Sequence, residues 1–501
     1  MFMKQLQDTL VNDDTFNVAV TEKDALGYRT TGRSLVDLNF SVASLRSASE
    51  DEVVSKFLEA FSEDKDLALK WLFFARDVRQ GLGERRLFRV ILNHMAVHQP
   101  KEIEHLVQYV PEYGRWDDLI ACLDSRLSEE IFEEIKYRLT LDLEAKRKGE
   151  PISLVAKWLP GVNTSSKETV RFGKMLAKRL GMSDRNYRKM LSSLRKYIDV
   201  IEVKMSAKDW GSIDYEKVPS KANLLYRNAF LKNDNERRRE YLTSLEKGEV
   251  KINASVLYPH DIVQKYMSGC LDCRPIDQTL ESLWSALPNT VTSDTSTIVV
   301  ADGSGSMTDT VGNTNITALS VANALAIYFS ERLSGDFKNK YITFSRRPQL
   351  VDMGGCATLQ EKIVTALQYD EIANTDVEAV FKLILHTAID ARMTQEDIPK
   401  NVLIISDMEF DNPSAVSNEK LFDVISGQYL EAGYKLPRLV FWNVNSRTGC
   451  IPLTRNELGV ALVSGFSINI AQMIMSGELD PYKCLLDMLL SERYREIIAA
   501  A

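Results

Sequence analysis

The stretch Thr297-Ile298-Val299-Val300-Ala301-Asp302-Gly303-Ser304-Gly305-Ser306 decides how the rest of this 501-residue chain is read. A short apolar, β-branched run that stops at Gly and Ser reads as a buried strand ending in a tight loop. In that loop one carboxylate and two hydroxyls, from Asp302, Ser304 and Ser306, stand at i, i+2 and i+4. Alternate residues of a tight turn can converge on one point, and all three donors are hard oxygens. That donor set suits Mg²⁺ or another hard divalent cation.

Downstream, strands and helices alternate. NITALSVANALAIYFSERL reads as a helix, KYITF and RPQLVDM as strands, VEAVFKLILHTAI as a helix and KNVLIISD as a strand. EKLFDVISGQYLEAG (helix), RLVFWNV and GVALVSG (strands) and NIAQMIMSG (helix) complete the series. This alternation predicts a mostly parallel sheet with helices on both faces, whose ligand sites lie at the carboxyl ends of strands. Asn374-Thr375-Asp376 precedes a helix, and KNVLIISD delivers Asp407 at a strand end. Parallel strands open on one edge, so Asp302, Ser304, Ser306, Thr375 and Asp407 are expected to meet around a single ion.

Upstream the pattern is different. Residues 1–50 are mixed and polar and read as an N-terminal arm. From about Glu50 to residue 290, apolar residues recur at helical spacing, as in VVSKFLEAFSEDKDLALKWLFFARDVRQG, with Gly and Pro as punctuation. Short helices without heptads predict stacked helical pairs, a HEAT-like array. Cys270 to Thr295 reads as a connector, and residues 296–501 form the expected α/β domain. The fold class is thus multidomain: an all-α helical-repeat region followed by a doubly wound, Rossmann-like α/β domain.

Charge is unevenly placed. The chain carries a net charge of −8, and residues 296–501, with 17 basic and 25 acidic residues, account for all of it. A chain of this balance does not coat nucleic acid along its whole length. Yet Lys157–Lys208 holds 13 basic and 4 acidic residues. Within it Lys174, Lys178, Arg179, Arg185, Arg188, Lys189, Arg195 and Lys196 are candidates for a polyanion footprint, with Tyr187 and Tyr197 interleaved as possible stacking partners. Ordinary solvated helix faces and core tyrosines account for the same residues.

Two resemblances follow from these motifs. The last 206 residues resemble a von Willebrand factor A domain with a complete metal-ion-dependent adhesion site. Asp302, Ser304 and Ser306 match its DxSxS element, Thr375 its second loop and Asp407 its third. The resemblance implies a cation, Mg²⁺ above all, held by hydroxyls and carboxylates with one position open for an acidic side chain of a protein partner. Ser304 and Ser306 are then expected to ligate directly, and Asp302, Thr375 and Asp407 directly or through water. The helical half, in FFARDVRQGLGERRLF, VPEYGRWDDLI, KWLPG, DRNYRKMLSSLRKYIDVIE and LYPHDIV, resembles an uncharacterised family that pairs a helical region with an A domain. The same order of parts is that of the Ro autoantigen (TROVE) proteins, which implies RNA as a partner.

Other signals carry less. Cys270-x-x-Cys273 lacks a second pair of ligands, and His260 reads as a buried structural histidine. No GxxxxGK[ST] loop is present, and no histidine lies near Ser304 or Ser306 to activate a nucleophile. No apolar run reaches the roughly 18 residues of a membrane span, and six cysteines are too few for a disulfide scaffold. The N-terminus has no apolar signal core. The expectation is a cytoplasmic, non-enzymatic RNA-binding protein of Ro-like architecture with a divalent-metal site. The alternative is a metal-dependent protein-interaction adaptor with no RNA role.

Overall fold

The computed structural model describes residues 17–21, 24–267, 275–291, 296–312, 314–344, 347–369, 376–410, 421–454, 458–470 and 480–500. The chain divides into two compact units. One comprises residues 1–71, 80–82 and 254–495; the other comprises 72–79, 83–253 and 496–501.

The first unit is built on a six-stranded sheet. Its strands are β1 (Thr297–Asp302), β2 (Lys340–Phe344), β3 (Leu350–Asp352), β4 (Asn401–Ser406), β5 (Arg438–Asn443) and β6 (Val460–Ser464), in the order β3-β2-β1-β4-β5-β6. All pairs are parallel except β2–β3. Every residue of β4, β5 and β6 is buried, which is why these segments read as unbroken apolar runs: helices cover both faces of a parallel sheet. The edge strand β3 alternates exposed, buried, exposed. Helix Ala318–Arg332 has twelve of its fifteen residues buried, so it is apolar on all sides rather than on one stripe.

The strand order fixes where a ligand can sit. From β1 the chain first builds outward to β2 and β3, then returns to place β4 on the opposite side of β1. The crevice at the carboxyl ends of β1 and β4 is therefore the topological switch point, where open α/β sheets bind ligands. The register Ala301↔Ile405 brings Asp302 beside Ser406, one residue before Asp407.

The expected arm differs from what is observed. Among its described residues, helix Ser34–Phe40 packs against β6, and Ala25, Val36 and Phe40 enter the sheet's core together with Val402, Phe422 and Leu462. The Ala43 N–H donates to Ser464 Oγ (2.9 Å), the Asn443 side chain donates to Phe40 O (3.2 Å), and Tyr28 pairs with Ile451. Gly27 runs so close to the 450–451 backbone that a Cβ there would stand 2.5 Å from Cys450 Sγ and 2.7 Å from Ile451 O. Polarity along 17–50 concealed these few apolar anchors.

The expected helical boundaries at 51 and 290 also differ from the division into units. Residues 51–71 and 254–291 belong with the sheet because their side chains are committed there. The Trp71 indole donates to Asn39 (3.1 Å), and helix Pro259–Met267 packs on helix Ala318–Arg332. Glu281 accepts from Leu359 N (2.8 Å) and Gln360 N (3.2 Å), so it caps a sheet-unit helix.

The second unit is helical, with no strand among its described residues. Its helices are mostly short, with one of 21 residues (Ser128–Lys148) that ends at Gly149, φ +77°. Ser166 and Ser183 cap helices Lys167–Arg179 and Asp184–Tyr197 by accepting from Thr169 N and Asn186 N. Sequential helices pack in pairs, as Ser220–Asn233 does with Asn235–Glu246. No described helix of either unit is long and apolar enough to cross a membrane.

Candidate metal centre and basic helices

At the switch point β1 ends in Asp302, which is 1% exposed. Its Oδ1 accepts from Ser304 N (2.9 Å), closing the tight turn, and its Oδ2 accepts from the Ser406 hydroxyl (2.7 Å) at the end of β4. A 3₁₀ turn over Gly305–Thr308 then brings Ser306 Oγ to 3.0 Å from Ser304 Oγ. Asp407 is also 1% exposed. Its Oδ1 accepts from Glu409 N (3.2 Å), while Oδ2 is buried with no aligned hydrogen-bond donor.

Burial, and the neighbouring Asp302 charge, push the Asp407 carboxyl up to about 7; Ser306 beside it offsets part of the rise. Two buried carboxylates this close repel, and water cannot screen them. An orphaned carboxylate oxygen beside two hydroxyls is what a hard cation would satisfy. The structure thus brings together Asp302, Ser304, Ser306 and Asp407. Thr375 lies outside the described residues, as do Cys270 and Cys273. Asp376, which follows Thr375, caps helix Val377–Asp390 by accepting from Ala379 N (2.8 Å). Among the described residues no group of three or more His, Cys, Asp and Glu is arranged to hold a metal ion. The donors here are two carboxylates and two hydroxyls.

Three contributors were missed in the sequence. Ser406 bridges Asp302 to the Met408 N–H, which donates to its hydroxyl (2.9 Å). Met408 itself holds φ at +63°, a costly conformation for a side chain of its size, and turns the chain sharply after Asp407. Glu409 is fully buried and accepts from Arg447 N (3.0 Å), Thr448 N (3.0 Å) and Thr448 Oγ1 (2.9 Å), tying the loop after β5 to the site. Arg447 pairs with Asp309 at its rim. Only the small hydroxyl preceding Asp407 could have signalled any of this. His260 is buried, stacked on Tyr258 and edge-on to Phe466.

The basic candidates in the helical unit separate into two groups. Arg195 donates to Ala156 O (2.8 Å) and Leu159 O (2.7 Å), and Arg179 pairs with Glu129 and lies over Phe132. Both bind the fold to itself. Tyr187 is fully buried, with its hydroxyl on Pro160 O (3.1 Å), so it cannot stack on a base. Tyr197 is half-buried and donates to Glu150 O. By contrast Lys174, Lys178, Arg185, Arg188, Lys189 and Lys196 are all exposed. Arg185, Arg188, Lys189 and Lys196 share one face of helix Asp184–Tyr197, opposite Tyr187, Leu191 and Leu194. On helix Lys167–Arg179, Lys174 and Lys178 continue a face with Lys167 and Arg171, the last held by Asp124.

Comparison with known proteins adds relatives of unassigned activity. Residues 132–299 match a domain of unknown function (DUF2828), and residues 296–484 match another (DUF7788). The chain is 30% identical to "Uncharacterized protein L728" of Acanthamoeba polyphaga mimivirus, across 94% of this chain and 87% of that protein. Among solved structures it is similar to the crystal structure of the Deinococcus radiodurans Ro (RSR) protein. The identity is 13% and the TM-score 0.46, over 82% of this chain and 91% of that one.

Proposed function

The chain belongs to the family of the mimivirus protein, and for it we propose a non-enzymatic binding role centred on a divalent cation at the sheet edge. In this reading the sheet unit is a von Willebrand factor A-type domain. The observation that carries it is the unpartnered, buried Asp407 Oδ2 beside Ser304, Ser306 and Asp302 at the switch point.

Ser304 and Ser306 would hold the ion through their hydroxyls, and Asp407 through its free oxygen. Asp302 already accepts on both oxygens, which suits a role through water and in orienting Ser304 and Ser406. Thr375 is the remaining candidate ligand. Bound there, the ion supplies an electrophilic centre for an acidic oxygen of a partner, because few formal negative charges face it.

RNA is the second ligand we propose, on the helical unit. The support is the exposure of Lys174, Lys178, Arg185, Arg188, Lys189 and Lys196, together with the Ro-like phrases of the helical half. A metal-dependent adaptor without RNA is the competing reading, and Mg²⁺-independent, salt-sensitive RNA binding would exclude it.

Calorimetric titration with Mg²⁺ tests the metal site. Ser304→Ala is expected to weaken binding by roughly 10–100-fold. Equal affinities for wild type and variant would refute the proposed ligation.

A further inference from the structure

A second charged cluster, in the helical unit, is used neither by the sheet-edge site nor by the basic helices. It is made by the phrases GERRLFR and YGRWDD. Arg76 is buried and forms two bonds to one oxygen of Asp118, from Nε (2.9 Å) and Nη2 (2.8 Å). Asp118, fully buried, also accepts from Arg89 Nε (2.5 Å) and from Arg115 N (3.0 Å). Gly114 makes room for this: a Cβ there would stand 2.5 Å from Asp118 Oδ2. With Arg76 absorbing much of Asp118, Asp117 is left to three guanidiniums. It meets Arg85 Nη2 (2.5 Å), Arg89 Nη2 (2.9 Å) and Arg115 Nε (3.2 Å).

The charges do not balance. Four arginines face two aspartates. Arg85, Arg89 and Arg115 keep side-chain exposures of 46%, 28% and 31%, so the excess positive charge faces solvent. The pairing is also imperfect: the buried atoms Arg89 Nη2, Arg115 Nε and Asp117 Oδ1 lack aligned hydrogen bonds despite their proximity. Burial and mutual repulsion lower the Arg85 guanidinium's hold on its proton, and burial does the same for Arg115. Arg85 opens the fourteen-residue helix Arg85–His98, whose first turn carries no acidic residue and whose Glu84 makes no side-chain cap. Cations at a helix N-terminus oppose the macrodipole, so the local rule is broken where the excess charge gathers. The Arg115 guanidinium lies over the Trp158 ring, its Cζ 4.3 Å from the ring centroid.

We infer that Arg85, Arg89 and Arg115 form a phosphate-binding site, in which a tetrahedral oxyanion docks on the exposed parts of these side chains beside Asp117. Guanidinium forks match phosphate oxygens in pairs, and the helix start adds a favourable field for an anion. The group bound is a phosphate, either free or as a phosphodiester of a single-stranded nucleic acid.

The test uses the full chain in chelator, so that the sheet-edge site contributes nothing and its failure is read separately. Inorganic phosphate and a short single-stranded RNA are titrated against wild type, Arg85→Gln and Asp117→Asn. Arg85→Gln should weaken binding about tenfold, the loss of one charge-assisted contact. Asp117→Asn should tighten it, because the competing carboxylate is gone. That gain cannot come from a misfolded variant. Response with both ligands assigns the site to any phosphate group, and response with RNA alone assigns it to the phosphodiester. If neither ligand responds to either substitution, the inference is overturned.

Discussion

The loop cluster at the sheet edge and the basic helices between residues 157 and 208 treat charge in opposite ways. At the edge, Asp302 and Asp407 are each 1% exposed, close together and of one sign. On helices Lys167–Arg179 and Asp184–Tyr197, eight lysines and arginines are exposed to water. The first arrangement is costly without a counter-ion and specific in geometry. The second costs almost nothing and is generic. Ligand binding at the edge is therefore expected to hinge on single atoms and on pH. Binding at the helices should hinge on the number of charges and on salt.

The largest expected effect is at the edge. Asp407→Asn removes a buried carboxylate oxygen that has no aligned donor at the site and should reduce Mg²⁺ affinity about 100-fold, read by calorimetry. If affinity changes less than the Ser304→Ala variant's, Asp407 is not a ligand.

Next is charge on the helices. Reversing Lys174, Lys178, Arg188 and Lys189 to Glu should lower single-stranded RNA affinity by about 100-fold at low salt. The four neutral Gln replacements should flatten the salt slope by up to about 0.7 per lost contact. An unchanged slope would remove this surface from the account. Arg195→Ala sharpens the contrast. It should leave the slope intact and cost about 1–3 kcal/mol of stability in denaturant unfolding, since Arg195 bonds Ala156 O and Leu159 O.

A pH experiment separates the regions further. With the Asp407 carboxyl pushed up to about 7, the folded state binds a proton that the unfolded state has already released above the ordinary carboxylate range. Stability in chelator is then greatest at low pH and falls as pH rises toward 7, levelling above it. The melting temperature should drop by about 5 °C between pH 5 and pH 8 relative to Asp407→Asn. Mg²⁺ should reverse the drop and bind more tightly as the proton leaves. A flat difference between wild type and variant would contradict the buried repulsion.

The smallest effect is Tyr187→Phe, worth about 1 kcal/mol through its bond to Pro160 O, with RNA affinity unchanged. A loss of RNA binding would instead return Tyr187 to the ligand surface.

The inner strands of the sheet were legible because a strand covered on both faces must be apolar at nearly every position, as IVVA and VLII are. The meeting of Asp302 and Asp407 was legible because parallel strands end on one edge. The arm was not legible. Its attachment rests on a few residues, Ala25, Val36 and Phe40, and on backbone bonds to partners some 400 residues away. Nor did periodicity separate exposed arginines from structural ones. Arg188 and Arg195 stand two turns apart on the same helix face, and only the carbonyls of 156 and 159 reveal which is committed. The Arg85–Asp117 cluster was visible as two phrases, but spacing alone does not bring GERR to YGRWDD.

The most direct test is a crystal of the full chain soaked in Mn²⁺ and measured at the manganese absorption edge. The account predicts one anomalous peak at the carboxyl ends of β1 and β4, about 2.2 Å from Ser304 Oγ and Ser306 Oγ. A manganese peak elsewhere in the molecule, with Asp407 Oδ2 bonded only to protein or water, would contradict it.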